Sequence, residues 1–150
     1  MPMDEALGVE APAPRKMGHG MSSSLEFAGY HGTSSVHVPA IRAGIRPPTG
    51  RNFGGVAQLG EGFYVTPDYA TAQQSAAFAV LASGGAPVIL EVYARNFSQM
   101  RGTNVPMSEW WQVSPRYITD FDYLTAPITG FEPVEQIKFN PRVYNALEAR

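Results

Sequence analysis

The chain has 150 residues, 44% hydrophobic and 16% charged, which is enough apolar material for one domain with a sizeable core. A net charge of −2 supplies no overall basic field to draw it to nucleic acid or to an anionic membrane. The absence of cysteine excludes a disulfide framework, a thiolate metal site and a thiol nucleophile. No apolar run approaches the roughly 18 residues of a membrane-spanning helix, and the start of the chain lacks the pattern of a standard secretory signal.

Residues 1–24 hold several helix breakers and no apolar periodicity, which predicts a disordered leader or linker. The folded domain is then expected over 25–150. In "LEFAGYH" the alternation puts Leu25, Phe27, Gly29 and His31 on one face of a strand. Residues 34–44 read as a short helix, with Ser34 or Ser35 as N-cap, Gly44 just past its end, and Pro39 tolerated only in the first turn. A long Gly- and Pro-rich loop follows over 45–62, a length that inside a compact domain is usually functional or mobile. "GFYVT" is the next strand. The best helix of the chain comes after it, with Thr66 as cap, Pro67 at its first position, an alanine-rich body, and Gly84 and Gly85 to stop it. The apolar run of residues 87–94 predicts a strand buried on both faces. Residues 95–117 read as irregular with room for a short helix, and residues 118–130 and 132–144 as two strands around a turn at Gly130. The order strand, helix, loop, strand, helix, then strands predicts an α+β fold that is mostly sheet.

Three separated motifs carry chemistry. "YHGT" (30–33) ends the first strand. "GEGFYVTPDYATA" (60–72) is a strand opening a capped helix. "PVEQIKF" (133–139) is a late strand in which Glu135, Ile137 and Phe139 share one face, opposite Gln136 and Lys138. A carboxylate in an apolar row needs a purpose or a partner. Gly62 would let a ligand approach the backbone, and Tyr64 offers a flat apolar face. Taken singly, His31 reads as a hydrogen-bonded core histidine, Tyr64 as a core aromatic, Gly32 as a turn residue, and Glu135 as a partner for Arg142 or a turn cap. Trp110 and Trp111 read equally well as an anchor of the irregular segment or as an exposed partner-binding pair.

Together and in this order, over residues 25–139, the motifs resemble the mono-ADP-ribosyltransferase toxins of the diphtheria toxin and exotoxin A class, whose His-Tyr-Glu arrangement the poly(ADP-ribose) polymerases share. The resemblance implies an ADP-ribosyltransferase fold, with split, bent antiparallel sheets, a few short helices and an NAD cleft between the sheets. It implies that His31 bonds the adenosine ribose, that the Gly32 backbone, with Thr33 beside it, holds the nicotinamide amide, and that Tyr64 stacks on the nicotinamide ring. Glu135 would bond the nicotinamide ribose and stabilise charge at its anomeric carbon. NAD is then the substrate, and no metal is required. Cleaving the ribose–nicotinamide bond builds up positive charge at the sugar, which a placed carboxylate stabilises.

The chain departs from the family pattern at two points. Ser75 stands where the class has a second aromatic, with Tyr69 and Phe78 nearby on the same helix. Glu61 stands in place of a basic residue before "GFY". Arg51, in the long loop, is the best candidate for the pyrophosphate. Pro133 stands where arginine-directed relatives carry a second acid, which disfavours arginine as acceptor. The expectation is a secreted or injected toxin or effector, a virulence factor acting in a target cell's cytosol. It would modify a protein acceptor, with an immunity protein in the producer and neither membrane nor nucleic acid as partner. The rivals are an NAD glycohydrolase and an inactive module that binds nucleotide or a partner. An RNA 2′-phosphotransferase is weaker, for want of a basic cluster.

Overall fold

The computed structural model describes residues 24–46 and 58–150. The expected leader, Ser24 apart, and Arg51 with most of its loop therefore lie outside the described residues.

The strand expected at the start extends further than its alternating pattern, as β1 (Leu25–Ser34). Its length displaces the next element. Ser34 belongs to β1, so α1 (Val38–Ala43) starts later than expected, with His37 at the N-cap and no side-chain cap bond. Pro39 does fall in the first turn and Gly44 caps the end. Next come the short β2 (Phe63–Val65) and the long α2 (Tyr69–Ser83). The cap of α2 is Asp68, whose carboxylate accepts from the Thr71 N–H at 2.9 Å. Thr66 lies outside the helix: its N–H and C=O pair with Tyr30 in the strand, and its hydroxyl accepts from the N–H of the capping Asp68. Gly84 ends the helix as expected.

β3 (Pro87–Arg95) buries Leu90, Val92 and Ala94 but leaves Glu91 exposed, so only one of its faces is fully covered. The irregular stretch holds β4 (Gly102–Asn104), α3 (Pro115–Thr119) and two single 3-10 turns. β5 (Tyr123–Pro127) and β6 (Glu135–Phe139) are the two late strands, both shorter than expected, joined through a turn in which Gly130 has φ +89. A 3-10 segment leads into β7 (Leu147–Ala149).

The result is a mixed α+β fold with two sheets. The first has the order β1-β3-β7 and is antiparallel. The second has the order β2-β6-β5-β4, and its β4–β5 pair is parallel, which corrects the expectation of antiparallel sheets throughout. Apolar residues of both sheets meet in one cluster: Ala28, Leu90, Val92 and Ala94 from the first, Val65 and Phe139 from the second. The other face of the second sheet holds a separate cluster of Leu59, Val105, Tyr117, Leu124 and Ala126. Helix α2 lies against the outer face of the first sheet. A Cβ on Gly32 would come within 1.9 Å of the Ala72 carbonyl oxygen, so only glycine lets the helix seat this closely. Among the described residues no helix is long and apolar enough to cross a membrane.

Candidate functional site

Among the described residues the two sheets are joined by one isolated antiparallel bridge, between Tyr30 and Thr66. The Tyr30 N–H donates to the Thr66 carbonyl at 2.7 Å and the Thr66 N–H to the Tyr30 carbonyl at 2.9 Å. In an antiparallel ladder the next hydrogen-bonded pair would be Gly32 with Tyr64. That pair does not form among the described ladders. Instead the His31 imidazole reaches across, and its Nδ1 donates to the Tyr64 carbonyl at 2.7 Å. Strand alternation turns the N–H and C=O of Gly32 to the same edge as those of Tyr30, so both face the place where the sheets part. A side chain has taken the acceptor that would otherwise have zipped the sheets together.

His31 is built for a fixed tautomer. A carbonyl only accepts, so Nδ1 carries the proton and, in the neutral ring, Nε2 is a bare acceptor. Burial holds the imidazole below its ordinary range, against the opposite pull of the Tyr64 hydrogen bond. The ring stacks on Phe63, with centroids 4.2 Å apart and planes at 25°.

Glu135 opens β6 and is exposed. Its carbonyl accepts from the Thr66 hydroxyl at 3.0 Å, and the same hydroxyl accepts from the Asp68 N–H at 3.2 Å. Thr66 thus ties together the bridge to β1, the main chain of Glu135 and the start of α2. Pro67, Asp68, Pro133, Val134 and Glu135 line an open depression. The alternative partner considered for Glu135 is engaged elsewhere, since Arg142 pairs with Asp122 at 2.8 Å.

The register divides the predicted residues between two faces of the second sheet. Val65 pairs with Ile137 and Phe63 with Phe139, so Glu135 shares the face of Phe63 and, through the stacked rings, of His31. Tyr64 pairs with Lys138 on the opposite face. Its ring packs with the second cluster, and its hydroxyl donates to the Gly60 carbonyl at 2.5 Å and accepts from the Leu59 N–H at 3.0 Å. Burial pushes its phenol above the ordinary value. What Tyr64 contributes beside His31 is its carbonyl, and the aromatic face there is Phe63. Alternation within "GFYV" is the signal that could have separated Phe63 from Tyr64.

The remaining predicted residues divide in the same way. Thr33 is buried in β1. Gly62 is needed for packing: a Cβ there would meet Lys138 Cδ at 2.1 Å and the Phe139 carbonyl oxygen at 2.5 Å. Lys138 is fully buried, donates to the Glu61 carbonyl at 3.1 Å and to Asn140 Oδ1, and burial lowers its pKa to about 8. Ser75 sits exposed on α2. Of the nearby aromatics, Tyr69 packs edge-on against Tyr30 at 5.1 Å, and Phe78 is exposed.

Comparison with protein-family models, with curated proteins and with solved structures gives no match.

The tryptophan pair splits. Trp110 joins the second cluster and donates to the Val105 carbonyl at 3.0 Å, while Trp111 is exposed with φ +73. Among the described residues no group of three or more His, Cys, Asp or Glu could hold a metal ion.

Proposed function

We propose that this chain is an NAD-dependent mono-ADP-ribosyltransferase of toxin or effector type, with an ADP-ribosyltransferase fold and a protein acceptor. The observation that carries the reading is the interrupted ladder at Gly32, where a main-chain donor and acceptor face the parting of the sheets beside a neutral histidine. A planar carboxamide has the complementary pair, one acceptor and one donor, and would dock on that edge as a strand residue does. His31 Nε2 would accept from a ribose hydroxyl. Glu135, on the face of His31, would stand at the anomeric carbon.

In the reaction the C1′–N bond breaks with its electron pair going to nicotinamide, which leaves neutral. The positive charge left on the ribose is stabilised by the carboxylate. The acceptor forms the new bond to C1′ and gives up its proton. Because Glu135 is exposed, water reaches the same place, and hydrolysis of NAD is the competing outcome.

The test is incubation with NAD labelled in its ADP-ribose part, with and without a susceptible lysate. The wild type is expected to release nicotinamide and to leave label on a macromolecule. Label only in free ADP-ribose would assign a glycohydrolase. Glu135→Gln should lower turnover about 10²- to 10³-fold with little change in melting temperature, since the side chain is exposed. Absence of nicotinamide release by the wild type, or unchanged turnover in Glu135→Gln, would overturn the reading.

A further inference from the structure

Gln58 belongs to none of the sequence motifs, yet its buried amide makes three hydrogen bonds around the turn that leads into Glu135. Its Nε2 donates to the Pro127 carbonyl at 3.0 Å. Its Oε1 accepts from the Thr129 N–H at 3.2 Å and from Gln136 Nε2 at 3.0 Å. Pro127 ends β5, Thr129 lies in the turn between β5 and β6, and Gln136 directly follows Glu135. The turn closes on itself through Ile128 N–H to the Val134 carbonyl at 2.7 Å and Val134 N–H to the Phe131 carbonyl at 2.9 Å. Gln58 therefore grips both ends of a closed turn at its base. From the other side, the Thr66 hydroxyl holds the Glu135 carbonyl.

We infer that Gln58 is a positioning residue that sets the main chain carrying Glu135. The catalytic part of the inference rests on the function proposed above; the mechanical part does not. Glu135 itself is exposed and opens its strand, so nothing in its own packing fixes it. A catalytic carboxylate must be held within about 0.5 Å of its productive place, and a displacement of about 1 Å can lower the rate about 100-fold. Removing the Gln58 amide strands the Pro127 carbonyl, the Thr129 N–H and the Gln136 amide together, which costs more than the bonds themselves contribute. The turn then regains the freedom that the clamp removes.

The experiment compares the full chain with Gln58→Leu, Gln136→Leu and the double variant. Two readouts are taken: amide hydrogen exchange, and kcat and KM for nicotinamide release. The decisive amides are Ile128 and Val134, whose acceptors lie within the turn and not on Gln58. Expected for Gln58→Leu are exchange at least tenfold faster at both amides, unchanged exchange at Leu90 and Val92, and kcat down about tenfold or more with KM within twofold. The double variant should be no worse than the worse single one, because both remove the same link. If Gln58→Leu does not fold, Gln58→Glu makes the same comparison, keeping an acceptor for Thr129 while losing the donor to Pro127. Unchanged exchange in the turn of a folded variant, or equal acceleration in β3, overturns the inference. A wild type that does not cleave NAD removes the proposed reaction, and the exchange pattern still decides whether Gln58 holds the turn.

Discussion

Substituting Gly32 with alanine tests how the candidate site is built, independently of any reaction. The added Cβ would stand 1.9 Å from the Ala72 carbonyl oxygen and 2.7 Å from the Ala76 nitrogen. Both obstacles are main-chain atoms of α2, so no rotamer change relieves them, and Ala72→Gly would not rescue the variant. Reaching ordinary contact at 3.4 Å requires the helix to withdraw by about 1.5 Å from β1. That separation forfeits the close contacts of Ala72 and Ala76, both fully buried. Overpacking of a well-filled interior costs typically 1–3 kcal/mol, and an immovable main chain puts this case at about 3 kcal/mol. In a domain of this size that lowers the melting temperature by roughly 10 °C. The assay is thermal and urea unfolding, with Ser75→Ala, on the exposed side of the same helix, as a control expected within about 0.5 kcal/mol of wild type. A Gly32→Ala protein within about 1 kcal/mol of wild type would refute the seating of α2 on β1 at this glycine.

Two pH dependences follow from His31 and Lys138, the two bases whose charged forms desolvation disfavours. His31 is held below its ordinary value of 6.5, so below that pH the unfolded chain binds more protons than the folded one, and stability falls as the solution is acidified towards the folded pKa. The slope from this group is at most about 1.4 kcal/mol per pH unit, and unfolding titrations between pH 7 and 5 should show it reduced in His31→Gln; equal slopes would refute a ring held neutral by its surroundings. Lys138, lowered from 10.5 to about 8, destabilises the fold fully below pH 8, and that burden lifts as pH rises towards 10.5. Unfolding measured from pH 8 to 10 should therefore show rising stability, with roughly 3 kcal/mol available over the whole window, and Lys138→Met should flatten the rise. The window closes near pH 10 because the Tyr64 and Tyr144 phenols, raised by burial, contribute with the opposite sign above it. A wild-type curve that stays level from pH 8 to 10 would place the ammonium in water.

The sequence by itself determined the local elements. Period-two alternation marks β1 and β6, and it already put Glu135 with Ile137 and Phe139. The alanine-rich body between Pro67 and Gly84 marks α2. These signals are legible because each depends on neighbours within a turn or a pleat. Tertiary structure alone decided which of two adjacent aromatics meets His31, that Thr66 bridges and does not cap, and that Gly62 makes room for Lys138. It alone decided that the ladder stops at Gly32, because whether strands stay zipped depends on which group wins the Tyr64 carbonyl, 33 residues away from the histidine that takes it. Gln58 left no trace in the pattern for the same reason: its partner Gln136 lies 78 positions along the chain, and only the packed β5–β6 turn brings the two amides together.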